Sequence, residues 1–151
     1  MKKEIVVILL IFLALFGCSK SPSDQLIYEN AVFAVESSDG SLQVLENKTY
    51  ERETVVYLAL TNVKGFQKDT DGLNKFDINV EISKDGNVIV SNGNLLGEKG
   101  KLNLENNIAK SPYGTFTSDN TLEAGTYSFK ITIKDLVIGK EVTTVENFEL
   151  I

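Results

Sequence analysis

The sequence predicts an all-β fold, an antiparallel two-sheet sandwich of about seven to eight short strands. Three observations predict it. From about Gln25 onward apolar residues recur with a period of two rather than 3.6. Glycine-centred turn signals, Asp-Gly pairs among them, separate β-rich runs. The runs repeat at short spacing through about 125 residues, enough for one domain and too few for two.

Taken in order, Ala31–Glu36 and Leu42–Leu45 bracket Ser37-Ser38-Asp39-Gly40 and read as a hairpin. Thr54–Val63 is β-rich with weak alternation, as expected of a central strand covered on both faces. Residues 64–75 are polar, contain Gly65 and Gly72, and read as a loop. In Phe76–Ser83, Phe76, Ile78, Val80 and Ile82 alternate with Asp77, Asn79, Glu81 and Ser83. Lys84-Asp85-Gly86-Asn87 then turns the chain into Val88-Ile89-Val90, because Gly tolerates positive φ. Asn92–Gly114 reads as a long Gly/Asn-rich loop holding either a short strand or a helical turn at Leu102–Ile108. Glu123–Thr126 is a tight turn. It leads to the clearest strand, Tyr127–Lys134, with Tyr127, Phe129, Ile131 and Ile133 on one face. Burying each such side chain stabilises by about 1.5–3 kcal/mol, enough to fix the register. A last strand, Val142–Ile151, places Phe148 and Leu150 together. A small antiparallel barrel would satisfy the same pattern.

Leu122-Glu123-Ala124-Gly125-Thr126-Tyr127 resembles the L-x-x-G-x-Y segment leading into the penultimate strand of many bacterial immunoglobulin-like domains. The resemblance covers about 30 residues. It implies an immunoglobulin-like sandwich in which Tyr127 closes a corner and Gly125 permits the tight approach. It implies no particular function, since this architecture hosts many. Without a Cys-Trp-Cys core the domain is not of antibody type.

The N-terminus is of another kind. Lys2 and Lys3 precede Ile5–Gly17, thirteen residues without charge. That is short of the roughly 20 apolar residues a membrane span needs, and fits the apolar part of an export signal. It ends Leu15-Phe16-Gly17-Cys18, which resembles the lipobox of bacterial lipoproteins, with Phe16 standing where smaller residues are commoner. The resemblance implies a signal helix over 1–17 that is removed, and diacylglyceryl transfer to the Cys18 thiol. It also implies acylation of the new amine and an address at the cell envelope. Two or three acyl chains anchor stably where one is marginal. Ser19 after the lipidated Cys implies an outer-membrane address if the source has two membranes. The organisation expected is therefore a signal at 1–17, a lipidated, flexible tether at 18–25 and a β-domain at 26–151.

Composition narrows the chemistry. There is no His and a single Cys, so His-based catalysis, imidazole metal ligands and an internal disulfide are excluded. The net charge is -6; removing residues 1–17, which carry a net +1, leaves -7. That balance argues against nucleic-acid binding. No G-x-S-x-G, P-loop or H-E-x-x-H motif is present, and no enzyme is expected. The remaining route, a carboxylate-based hydrolase, would need two acids about 5–9 Å apart, which sequence does not reveal.

Two candidate sites remain. Asp69, Asp71, Asn74 and Asp77 lie within nine positions and resemble half of an EF-hand-type loop, so calcium is the one cofactor to weigh. The closing Glu of such a loop is absent, Val80 standing in its place, and Asp and Gly serve turns equally well. Tyr113, in Ser111-Pro112-Tyr113-Gly114, reads as an exposed loop aromatic for a glycan, or as a rim residue packed on the sandwich. Tyr57 and Tyr127 fall in strand patterns and are expected in the core or at a corner. The expectation is a lipid-anchored envelope protein whose β-domain binds or scaffolds a partner without catalysis. A calcium- or carbohydrate-dependent recognition module is the alternative.

Overall fold

In the computed structural model residues 25–151 are described; the signal segment, Cys18 and all of the tether but Gln25 lie outside them. The described chain is all-β. Eight of its strands have three residues or more: β1 (Asn30–Glu36), β2 (Leu42–Val44), β4 (Val55–Thr61), β6 (Asn74–Lys84), β7 (Asn87–Asn92), β10 (Tyr113–Thr117), β11 (Gly125–Asp135) and β12 (Lys140–Leu150). Four two-residue strands join them: β3 (Thr49–Tyr50), β5 (Val63–Lys64), β8 (Lys101–Leu102) and β9 (Ile108–Ala109).

Two sheets dominate. One runs β10-β4-β1-β2; the other runs β3-β12-β11-β6-β7, with β8 against the start of β6. The pairing is antiparallel except at β3, which lies parallel to β12 through Thr49↔Glu149 and Tyr50↔Leu150. The purely antiparallel expectation is corrected at that edge, where β3 is too short to carry a sequence signal. β5 and β9 form a separate antiparallel pair.

The sheets face each other across one core, as the period-two pattern requires. Val56, Leu58 and Leu60 of β4 are fully buried, as are Ile82 of β6 and Phe129, Ile131 and Ile133 of β11. Phe148 of β12 is an aromatic hub: its ring centroid lies 5.7 Å from Tyr127, 5.8 Å from Phe33, 5.9 Å from Tyr50 and 6.1 Å from Phe116. These rings come from both sheets, so the hub holds the layers together.

The turns follow their residues. Asp85 and Gly86 both have positive φ (52° and 78°), the type I′ requirement between β6 and β7. Tyr127 donates from its hydroxyl to the Glu123 carbonyl at 2.7 Å, closing the turn that Gly125 opens at φ 134°. The long loop expected over 92–114 is broken up. It holds a 3-10 turn at Gly97–Gly100, β8, a second 3-10 turn at Glu105–Asn107, β9 and the start of β10.

Buried polar side chains stitch these loops down. Asp135 accepts from the backbone amides of Gln67 and Val137, each at 2.7 Å. Asn74 donates to the Gln67 carbonyl at 3.0 Å and accepts from Leu104 N at 2.9 Å. Each satisfies backbone groups that would otherwise be buried without partners.

Candidate functional site: an aromatic sheet face

The Asp69 loop is a closed turn. Asp69 Oδ1 accepts from the backbone amides of Asp71 at 2.9 Å and Leu73 at 3.0 Å, and the Asp69 amide donates to the Leu73 carbonyl at 2.7 Å. Its Oδ2 meets the Lys75 ammonium at 2.7 Å. That ammonium, helped by the Leu73 and Asp71 amides, holds the Asp69 carboxyl down at about 2. Lys101 reaches Asp71 at 3.9 Å.

Asn74 and Asp77 lie inside β6 and are buried. Asn74 is spent on the loop contacts above, and Asp77 Oδ1 accepts from Ile78 N at 2.7 Å and Leu96 N at 2.8 Å. The four candidate calcium ligands are thus split, two on a turn neutralised by lysines and two engaged with backbone. Among the described residues no three His, Cys, Asp or Glu side chains gather as a metal-holding group.

Tyr113 is the first residue of β10, not a loop residue, and is 47 % exposed. Sequence reading misplaced it because Pro112 and Gly114 look like turn signals. Pro112 instead stands just before the strand. Gly114 lets the two sheets approach, since a Cβ there would stand 2.3 Å from Val80 Cγ2. Tyr57 is likewise not a core residue. In β4 the odd positions face outward and the even ones inward, so Tyr57 is half-buried on the outer surface. Its ring lies 5.7 Å from that of Tyr113, and its hydroxyl donates to Glu36 Oε2 at 2.8 Å. That bond to the carboxylate, chiefly, raises the Tyr57 pKa.

Around the pair the outer face of this sheet is apolar. Register sets Thr115, Tyr57, Ala34 and Val44 in one row across four strands, and Tyr113, Ala59 and Val32 in the next. Val44 is 59 % exposed and Leu42, opposite Glu36, is 41 % exposed. Between the tyrosines and the valines, Ala34 and Ala59 are almost fully covered, at 3 % and 5 % exposed. The apolar residues at both parities of Thr54–Val63 were the signal for this face. They mark an outer surface with little charge as well as an inner one.

The opposite sheet presents the contrary surface. Its outer face carries Glu81 against Lys130 at 3.7 Å, Lys134 against Glu141 at 3.3 Å and Thr132 against Thr143 at 2.8 Å. A shallow hollow there is lined by Asn79, Glu81, Lys130, Thr132 and Lys134 among others. Charge pairs of this exposed kind solubilise a surface and contribute little stability.

No family model matches the sequence, and no curated protein matches it. Among solved structures, the soluble domain of PmoD from Methylocystis sp. ATCC 49242 (Rockwell) is similar at a TM-score of 0.38 and 11 % identity, over 83 % of this chain and 96 % of that one. No helix among the described residues is long and apolar enough to cross a membrane.

Proposed function

We propose that this chain is a lipid-anchored cell-envelope protein, held by an acylated Cys18. Its non-catalytic, immunoglobulin-like domain binds a protein partner through the Tyr57–Tyr113 face. One observation carries the binding part: the two outer faces differ in kind. One is laced with ion pairs; the other presents two tyrosines and two valines beside a single carboxylate, Glu36. Exposed apolar area of this sort marks interaction sites, and Tyr is among the residues enriched there.

The lipid anchor rests on Leu15-Phe16-Gly17-Cys18 and the charge-free run before it. In a two-membrane cell, Ser19 directs it to the outer membrane. The immunoglobulin-like reading is supported by the neighbours β1-β4-β10 in one sheet and β6-β11-β12 in the other, and by the Tyr127 corner.

Two experiments test the parts separately. A clickable fatty acid fed to cells is expected to label the wild type and not Cys18→Ala; equal labelling ends the anchor. A photoreactive residue at Thr115 is expected to give one cross-linked partner, lost on Tyr113→Ala. The same residue at Thr143, on the charged face, is expected to give none. Equal products from both faces end the assignment of the binding surface.

A further inference from the structure

We infer that the pole of the domain where the tether enters lies against an anionic lipid bilayer, with the apolar tip of the β11–β12 hairpin in the head-group layer. The inference rests on the proposed lipid anchor at Cys18 and adds an orientation to it. β1 starts beside the end of β4, Asn30 opposite Thr61, so Gln25 and Leu26 enter at that pole. The Gln25 carbonyl is pressed onto Gly65, where a Cβ would stand 2.4 Å from its oxygen. From Cys18 to Gln25 the chain spans at most about 25 Å. β11 has eleven residues and is about 36 Å long. An anchor at Cys18 therefore keeps this pole near the bilayer, and the domain cannot stand inverted on the other.

The hairpin tip has the wrong chemistry for an ordinary turn. Turns are built mostly from Gly, Asn, Asp and Ser. Those of the far pole obey this: residues 37–40, 85–86 and 119–121 include no apolar side chain. Between β11 and β12 the chain instead reads Leu136-Val137-Ile138-Gly139. Leu136 and Ile138 are 53 % and 39 % exposed, and Lys134 and Lys140 stand on either side. Backbone bonds close the turn, Leu136 N donating to the Lys75 carbonyl at 2.8 Å and Gly139 N to the Asp135 carbonyl at 2.9 Å. The two exposed side chains are not what holds it. Ile27, 56 % exposed and bridged to Lys64, adds a third aliphatic at the same pole. Exposed apolar side chains among lysines suit a segment seated at a membrane surface.

Charge divides the same way. Lys64, Lys68, Lys99, Lys110 and Lys140 are exposed and, among the described residues, in no ion pair; every other lysine there is in one. All five lie at the tether pole. Lys64 pairs with Ile108, Lys68 bridges to Asn74, and the Lys110 carbonyl accepts from Asn62 N. Lys140 sits opposite Asp135, and Lys99 leads into β8 on the start of β6. The exposed carboxylates of that pole outside an ion pair are Glu29, Glu98 and Glu105. The far pole holds Glu46, Glu51, Glu53, Asp85, Asp119 and Glu149, all exposed and outside an ion pair among the described residues, beside Arg52. An anionic surface attracts the first pole and repels the second. Tether reach and charge thus agree on the bilayer as what covers the tip. The Tyr57–Tyr113 face, on the flank of the sandwich, stays open to its partner.

The test uses the full chain, purified with its lipid and reconstituted in vesicles of phosphatidylethanolamine and phosphatidylglycerol. A bimane fluorophore is attached at Ile138→Cys or, at the far pole, at Asn120→Cys. Cys18 is the one natural cysteine, and its thiol carries the lipid. Nitroxide-labelled lipid is expected to quench the probe at Ile138 about fivefold more than the probe at Asn120. That quenching is expected to fall about twofold when Lys99→Glu and Lys140→Glu are combined. Should the double variant misfold by thermal unfolding, the unsubstituted lysines in vesicles of phosphatidylcholine, which has no net charge, serve the same end. Flotation reads the anchor separately. Vesicles that carry the protein yet quench both positions equally, or quench Ile138 without regard to charge, overturn the inference and leave the anchor standing. Protein absent from the floating vesicles overturns both. Shielding of Ile138 in native membranes but not in these vesicles shows a protein over the tip and also overturns the inference.

Discussion

The Tyr127 hydroxyl donates to the Glu123 carbonyl, 2.7 Å away and four residues back along the chain. The ring beneath it is buried against Phe148, so one side chain both fills the core and closes the turn. Lys84, paired with Glu123 at 2.9 Å, lies 5.3 Å from the centre of the Tyr127 ring and covers it. Tyr127→Phe keeps the ring and removes the bond. It is expected to cost about 1 kcal/mol, a drop of a few degrees in melting temperature. An unchanged melting temperature would show that the corner contributes only packing.

Gly114→Ala is expected to destabilise by about 1–3 kcal/mol, because the added methyl meets Val80. Combined with Val80→Ala, which makes room, it is expected to cost less than the sum of the two single changes. Denaturant melts of the four proteins in this cycle measure the coupling. Strict additivity would show that the sheets do not touch at this point.

Asn74→Ala leaves the Leu104 amide and the Gln67 carbonyl without their buried partner. The expected loss is about 2 kcal/mol. Calcium at millimolar concentration is expected to leave the melting temperature of the wild type unchanged, since ligand binding to the folded state would raise it. A rise in the wild type that Asp71→Asn abolishes would restore the loop as a cation site.

Asp69 has its pKa depressed to about 2 in the folded chain, first by the Lys75 ammonium. Between about pH 4 and 2 the unfolded chain therefore binds more protons at this group than the folded one, and stability falls as pH falls through that window. Lys75→Met is expected to weaken the dependence there and to leave it unaltered at neutral pH. Acid titrations of stability for the two proteins provide the check; identical acid limbs would remove the ion pair from the account.

The strands with one wet face were legible. Tyr127–Lys134 and Phe76–Ser83 lie where their alternation puts them, because burial at period two permits one register only. The Asp85-Gly86 turn was legible because the left-handed backbone it needs suits few residue types. β10 was hidden. Gly114 is a packing requirement between sheets, and glycine looks the same in a sequence whether it serves a turn or a close approach.

The sequence by itself determined the all-β class, the hairpins and the inward faces. These are local properties, set by neighbours a few positions apart. Only the tertiary structure decided that Tyr57 and Tyr113, far apart in the chain, share an outer surface, and that Asn74 and Asp77 serve the scaffold. Those facts depend on which strands lie side by side, and pairing between distant segments leaves no period in the sequence to read.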